Sequence, residues 1–211
     1  IMGTGDFTHP IWLSELKKKL SDNGTGIYSF ENVSFMLTGE ISLVYTQGGR
    51  GRRVHHMIYA PNFETVDQIN EFLDTKGRRD YDGRPIFGFS SIELVEKLMQ
   101  ISRDIEIIPA HAWTPWFGIF GSMSGFDSLE ECFDELAVFV PAIETGLYYD
   151  PPMNWRLSAL DNIMLISNSD AHSLPNLGRE ANVFNPDNLS YLSLIDILRK
   201  RQKNKFLYTV E

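Results

Sequence analysis

Apolar residues fall in short runs broken by polar punctuation, and the runs switch repeatedly between the period of a strand and that of a helix. Residues 163–166, Ile-Met-Leu-Ile, predict a short buried strand, and Ser167-Asn168-Ser169-Asp170 ends it at a surface, with His172 just beyond. The same alternation runs through the chain. Residues 1–5 read as the end of a buried strand carrying Asp6 and His9 at its tip, before Pro10 opens a helix through Trp12, Leu13, Leu16 and Leu20. Residues 33–45 form an apolar, β-branched strand with Glu40 in its middle, where an acid is costly to bury without a cationic partner. The glycine-rich reversal at 47–51 leads into a strand over 54–59, so these two strands pair as neighbours, and alternation sends His55 and His56 to opposite faces.

Capping-box spacings at Thr65–Gln68, Ser90–Glu93 and Ser128–Glu131 open three helices. Between the first two lies a long loop, 76–89, punctuated by Gly77, Gly83, Pro85 and Gly88. Residues 105–109 form a strand with His111 at its tip, followed by an aromatic stretch, 112–120, without helical period. Residues 137–143 are expected as a strand ending in Glu144, 155–160 as a short helix, 189–202 as the final helix and 206–210 as the last strand. Strands and helices thus alternate, with polar residues gathered where strands finish, and the pattern predicts a single α/β domain over 1–211 with a parallel β/α barrel.

Composition narrows the class. With 43% hydrophobic residues and 211 positions, the chain can bury a substantial core. One cysteine, Cys132, excludes a disulfide framework and a cysteine-based zinc finger within the chain, so a reducing, cytoplasmic compartment is expected. No apolar run reaches membrane-spanning length, so no membrane partner is expected. A net charge of −9 argues against a uniformly basic nucleic-acid coat. Twelve of the nineteen cations nevertheless lie in three clusters, at 50–53, 76–84 and 199–205, which leaves room for a local basic groove.

Collected from the strand ends, Asp6, His9, Glu40, His55, His111, Asp170 and His172 offer four imidazoles and three carboxylates, more than one ion needs. Each histidine taken alone is more often a hydrogen-bonded core residue, yet four of the five histidines sit in strands or at strand tips. Two or three divalent ions, with a carboxylate such as Glu40 bridging, would suit phosphoester hydrolysis. No Gly-x-x-x-x-Gly-Lys-Ser/Thr loop is present, which disfavours a nucleoside-triphosphate motor.

In order and spacing, Gly5-Asp6-Phe7-Thr8-His9-Pro10, Thr38-Gly39-Glu40, Val54-His55, Pro109-Ala110-His111 and Ser169-Asp170-Ala171-His172 resemble the motifs of the polymerase and histidinol phosphatase (PHP) superfamily. Within it, the first of these motifs, the His111-Ala-Trp-Thr-Pro-Trp loop and Glu144-Thr-Gly-Leu resemble the endonuclease Q family. The resemblance spans essentially the whole chain. It implies a distorted seven-stranded, TIM-like β/α barrel of the PHP type, holding up to three zinc, manganese or magnesium ions. It implies a DNA repair endonuclease that nicks 5′ of deaminated bases (hypoxanthine, uracil) or of abasic sites. Glu40, His55, His111, Asp170 and His172 match metal ligands, with Glu40, His111 and Asp170 expected to be catalytic. Asp6 matches a ligand aspartate, Phe7 stands where a histidine would be, and His9 is its expected substitute. A base-inspecting nuclease would use Trp113, Trp116, Phe117, Tyr148 and Asn154 at the base, and Arg78, Arg79 and Arg84 along the DNA backbone. Two departures stand out: the superfamily's His-X-His motif and the C-terminal cysteine-bearing zinc module of endonuclease Q are absent, so a fragment lacking its first strand and its C-terminal module is expected. A PHP phosphatase of small phosphomonoesters and a non-catalytic interaction domain are the alternative readings.

Overall fold

The computed structural model describes residues 1–147 and 149–210; Tyr148, one of the expected base-pocket residues, and Glu211 lie outside the described residues. Strand β1 (Met2–Gly3) leads to helix α1 (Pro10–Lys19), then β2 (Ser21–Asp22), β3 (Tyr28–Phe30), β4 (Val33–Gln47), β5 (Arg50–Ala60) and α2 (Phe63–Asp74). There follow β6 (Ile86–Phe87), α3 (Ser91–Ile101), β7 (Glu106–Pro109) and α4 (Leu129–Phe133), the last running into a 3-10 turn at Asp134–Phe139. The chain finishes with β8 (Ala142–Glu144), α5 (Pro151–Asn154), β9 (Met164–Ile166), β10 (Ala181–Phe184), α6 (Tyr191–Arg199) and β11 (Phe206–Val210). No helix among the described residues is long and apolar enough to cross a membrane.

The organising unit is the β4–β5 hairpin. Gly48 and Gly49 both have positive φ (60° and 73°), the requirement of a type I′ turn, and Gln47 pairs with Arg50 directly across it. Eleven cross-strand pairs follow, from Gln47↔Arg50 to Leu37↔Ala60. The hairpin therefore carries two long faces. On the core face Val54, His56, Ile58 and Ala60 are fully buried, His56 donating to or accepting from Ser91 Oγ at 2.8 Å. The opposite face carries Glu40, Ser42 and Val44 of β4 beside Met57, His55 and Arg53 of β5.

Strand sense differs from the expected parallel pattern. A two-residue turn can join only antiparallel strands, so β4–β5 is antiparallel; β5–β7, β2–β3, β3–β4 and β10–β11 are antiparallel as well. Among the described residues, strands pair in parallel at β1–β4, β6–β4 and β8–β9, and an isolated parallel bridge joins Val54 to Phe117. The strands form three hydrogen-bonded sheets of seven, two and two strands. The fold is mixed α/β, and the sheets do not trace a clear closed barrel.

The helices cover the sheets through one large apolar cluster that joins α1, α2, α3 and α4 to β4, β5 and β7, with Leu37, Ile41, Leu43, Ile69, Leu73, Leu94 and Leu98 fully buried. Helix α6 packs separately, Leu194 and Ile195 against Ile27 and Met36, and Leu198 against Ile108, Ala142, Met164 and Ile166. It is also clasped by charge: Arg199 donates to buried Glu106 at 2.7 Å and to the Ile105 carbonyl at 2.8 Å.

Several local expectations shift. The cap of α2 is Asn62, whose side chain accepts from Thr65 N–H, three residues before the expected start, whereas Ser90 and Ser128 cap α3 and α4 as their spacing predicts. Residues 137–141 are not strand: Val140 N–H bonds back to Ala137, and Pro141 delays pairing until Ala142. The short helix expected over 155–160 starts earlier, at Pro151, because Asp150 caps it with proline in the first turn; Ser158–Leu160 is a separate 3-10 turn. Strand β1 is less buried than its composition suggests, with Ile1 exposed, and Trp12 lies on the outer flank of α1, donating to the Thr4 and Gly5 carbonyls.

Candidate metal centre

Glu40 on β4 and His55 on β5 are diagonal neighbours on one hairpin face, since Glu40 pairs with Met57 and Ser42 with His55. His111 reaches the same point from the end of β7, where Ala110 N–H bonds to the His55 carbonyl. His55 Nδ1 lies 2.9 Å from Glu40 Oε1 and 3.0 Å from His111 Nε2, and His111 Nε2 lies 3.5 Å from Glu40 Oε1. Among the described residues, these three form the group of metal-ligating side chains whose donor atoms lie within 4.8 Å of one another.

The surrounding hydrogen bonds fix what this cluster can do. Thr114 Oγ1 contacts the His111 and Trp116 carbonyls (3.1 and 2.9 Å), to which only a hydroxyl proton can be given, so His111 Nδ1–H is the donor in its 2.8 Å contact with Thr114 Oγ1. That tautomer leaves His111 Nε2 as a bare lone pair facing the cluster. A proton on His55 Nδ1 can serve His111 Nε2 or Glu40 Oε1, not both, and Glu40 Oε1 is indeed buried without a hydrogen bond. A cation would satisfy all three at once. Ligands on a tetrahedral ion are about 3.3–3.6 Å apart and on a small octahedral one about 3.0 Å, close to the observed 2.9–3.5 Å. One hard carboxylate oxygen and two imidazole nitrogens suit a divalent ion of the zinc or manganese kind, so the group could hold one.

Charges agree with this chemistry. Burial pushes the Glu40 carboxyl up, but the imidazoles of His111 and His55 and the Arg84 guanidinium, 3.3 Å from Oε2, outweigh it and hold Glu40 well below the usual carboxylate range. Burial lowers His55 against the pull of Glu40; at His111 burial acts the same way, but Glu40, Glu144 and Asp170 outweigh it and raise the imidazole. Phe117 stacks on His55 with ring centroids 4.4 Å apart, and its carbonyl accepts from His55 N–H, fixing that ring in place.

Asp6 follows β1, His111 follows β7 and Asp170 follows β9, and all three have left-handed backbone, with φ of 48°, 30° and 43°. Such strain in non-glycine residues costs about 1–2 kcal/mol each and concentrates at functional sites. At His111 it is held by Glu144, whose Oε2 accepts the His111 backbone N–H at 2.8 Å. Glu144 is buried, and burial pushes its carboxyl up to about 7. This residue was missed as a site residue, although it ends an apolar run at a strand edge as Asp170 does. Ser42, opposite His55 and beside Glu40, was missed too: its buried Oγ has no partner.

The other expected residues divide into near and far. Asp6 is half-buried, and burial, then the Glu40 and Asp82 charges, raise its carboxyl; Gly83 packs so close that a Cβ there would fall 2.2 Å from Asp6 Oδ2. Asp170 is close enough for its charge to act on His111. Neither joins the three-donor group, and His9 and His172 stay outside it as well. His9 caps α1 by position without a side-chain bond, and His172 is largely exposed, its Nδ1 3.0 Å from the Asp170 carbonyl. Phe7 is fully buried core beneath Gly39, so the expected substitution there is a packing residue.

The expected DNA contacts are also redistributed. Asn154 is buried and spends its whole amide internally, accepting from Trp113 Nε1 at 2.7 Å and donating to the Tyr149 and Asp150 carbonyls, so it cannot read a base edge in this conformation. Trp113 packs on Phe120 and Tyr149. Arg79 is largely buried, bound to Asp74 and the Thr8 carbonyl; Arg84 is engaged by Glu40; Arg78 is exposed and paired with Asp80. Trp116 remains 45% exposed.

Fold and donor cluster together define a mixed α/β protein with a candidate divalent-metal site on one face of the β4–β5 hairpin, beside the end of β7. Solved structures narrow the comparison: the fold matches endonuclease Q. The chain superposes on the lesion-specific endonuclease PfuEndoQ from Pyrococcus furiosus with a TM-score of 0.81 and 30% identity, covering 94% of this chain and 47% of that one. It matches an endonuclease Q complexed with a 27-mer duplex bearing an abasic lesion at the active site equally well, with a TM-score of 0.81, 29% identity and coverage of 94% and 48%. By sequence it is 26% identical over 193 residues to the uncharacterized protein YqxK of Bacillus subtilis (strain 168), covering 86% of this chain and 46% of that protein. It is 33% identical over 118 residues to an uncharacterized protein of Methanocaldococcus jannaschii, covering 54% of this chain and 12% of that protein. The chain thus spans about half the length of YqxK and of both endonuclease structures. No protein-family model matches it.

Proposed function

We propose that this chain carries the metal centre of a DNA repair endonuclease of the endonuclease Q type, cutting a phosphodiester 5′ of hypoxanthine, uracil or an abasic site. The observation that carries the reading is the convergence of Glu40 Oε1, His55 Nδ1 and His111 Nε2 with one buried acceptor left unsatisfied. The structural likeness to endonucleases, one of them bound to lesion-bearing duplex DNA, supports the same substrate here.

Glu40, His55 and His111 would hold one ion, and Asp6, Asp170 and His172 are the proposed donors for up to two more, drawn from zinc, manganese and magnesium. When bound, such ions activate water near neutral pH and stabilise charge on phosphoryl oxygens. The chain's own contribution is positional. Glu40 stays ionised, Thr114 fixes the His111 tautomer, Glu144 holds the strained His111 backbone, and Phe117 locks the His55 ring. Arg84, on the outer oxygen of Glu40, brings a cation to the rim where a phosphate would approach. We take the three sheets as arcs of a distorted barrel with these donors on its rim; the bond from Ala112 N–H to the Glu144 carbonyl, which ties the end of β7 to β8, supports that arrangement.

The test is incubation of the protein with manganese and labelled duplexes carrying uracil, hypoxanthine or an abasic site. Nicking 5′ of the lesion, abolished by a chelator and by Glu40→Ala, is the expected result. Equal cutting of undamaged duplex would sink the lesion-specific reading, and turnover of small phosphomonoesters alone would favour a phosphatase.

A further inference from the structure

One strand step outward from the metal cluster, the hairpin face carries a second feature that the centre itself does not use. Arg53 lies two residues from His55 on β5 and points to the same face, about 6.8 Å away along the strand. Its guanidinium sits over the Trp116 ring, 4.9 Å from the centroid. Unlike Arg52, Arg78, Arg79, Arg84 and Arg199, it has no carboxylate partner among the described residues. With Val44, Tyr45, Thr46, Gly51 and the Glu131-paired Arg52, these two side chains line a cleft of about 290 Å³.

The cleft is built rigidly onto the cluster. Arg53 N–H bonds to the Ser124 carbonyl, and Ser124 Oγ contacts the Arg53 carbonyl and the Phe117 amide. Phe117, next to Trp116, stacks on His55, so the indole and the metal-ligand candidate are held at a fixed offset. In a chain of net charge −9, an unpaired guanidinium against a half-exposed indole is a place for an anion attached to a flat ring. The offset from His55 to Arg53 is comparable to the separation of neighbouring phosphates along one nucleic-acid strand.

We propose that this cleft is a nucleotide subsite: the phosphate next to the one at the metal cluster rests on Arg53, and its base stacks on the open face of Trp116. The proposal rests on the nuclease reading above and adds the path of the strand. Arg53 would act as a phosphate anchor and Trp116 as a sequence-tolerant platform.

Metal-free binding tests it without invoking catalysis. Anisotropy of a labelled single-stranded oligonucleotide is measured with the chain in chelator across a salt series. Arg53→Ala is expected to reduce the slope of log affinity against log salt by about 0.7, the loss of one phosphate contact to a single strand. Trp116→Ala is expected to weaken binding by about 5- to 150-fold with the slope unchanged, and Trp116→Phe to restore most of it. Wild-type affinity and slope in both alanine variants would overturn the subsite while leaving the nuclease reading intact. A weaker Arg53→Ala with an unchanged slope would overturn its phosphate contact. Absence of both oligonucleotide binding and lesion cutting by the wild-type protein would overturn both readings.

Discussion

Replacing Glu40 by glutamine keeps the side chain's shape and removes the one anionic donor of the cluster, which makes it a direct measure of metal binding. In the native arrangement Oε1 is 2.9 and 3.5 Å from the two imidazole nitrogens, and Oε2 is held by Arg84. Outer contacts around a metal ligand change affinity by about 10–100-fold, so loss of the ligand's own charge should cost at least about 100-fold. That converts into a thermal readout. At an ion concentration about 100 times the wild-type Kd, binding stabilises the fold by about 2.7 kcal/mol. For a chain of this size that is about 5–11 °C in Tm. A 100-fold weaker Glu40→Gln variant would retain about 0.4 kcal/mol under the same conditions, about 1–2 °C. The assay is a melting scan with and without manganese or zinc, referenced to chelator. His56→Asn is the control: it lies one residue from His55 but on the core face, bonded to Ser91, with burial pushing its imidazole down to about 3. Its Tm should fall without loss of the metal-induced shift. A full wild-type shift in Glu40→Gln, or an equal loss in His56→Asn, would refute the assignment of the cluster.

Three further outcomes are expected. Asp170→Asn, which tolerates the left-handed backbone, should cut lesion-bearing duplex at least about 100-fold more slowly. Its Tm should stay near wild type, and unchanged cutting would remove Asp170 from the site. Asn154→Ala should destabilise by about 2–3 kcal/mol by orphaning Trp113 Nε1–H and two loop carbonyls while leaving lesion preference untouched. A switch in preferred base at wild-type stability would show that the amide reads substrate after all. Arg199→Met leaves Glu106 buried without its cation. Burial already pushes that carboxyl up to about 7, so the native stability it confers is fully present below pH 4.5 and is lost as pH rises through about 7. The variant should therefore lose about 3–5 kcal/mol at pH 8 and clearly less at pH 5; equal losses in the two melting curves would contradict this.

How much of the architecture the residues disclosed depended on whether the signal was local. The hairpin was legible because Gly48-Gly49 permits only one kind of reversal, and α3 and α4 because Ser90 and Ser128 cap them through bonds three residues long. The sense of strand pairing was not, because it depends on partners far apart in sequence. Alternating strands and helices suggested parallel crossovers, yet β7 joins β5 antiparallel after a connection that holds α2, β6 and α3. Strand β10 escaped notice for a similar reason: Ala181–Phe184 is too short and mixed to signal a strand, and its identity comes from pairing with β11. Residues 137–141 show that apolar character alone does not make a strand: they leave a 3-10 turn in which Val138 is exposed, and Val140, just beyond it, packs into the core.

The site divides along the same line. Alternation along β5 separated His55 from His56, and the cost of an acid inside β4 pointed to Glu40, because both arguments concern one residue and its own backbone. What a side chain does once surrounded could not be read that way. Asn154 has the chemistry to read a base, but three internal partners occupy it; Arg79 has the charge to meet a phosphate, but Asp74 and the Thr8 carbonyl hold it. Arg53 is the converse, a member of the 50–53 cluster with no role assigned from the sequence, which the fold leaves without a carboxylate and places against Trp116. Several arginines lack an ion pair among the described residues, so what marks Arg53 is its place: on the hairpin face of His55, against a half-exposed indole. On the proposed reading, a bound strand continues from the Glu40–His55–His111 cluster outward along the hairpin toward Gly48-Gly49, with Arg84 at the cluster's own rim.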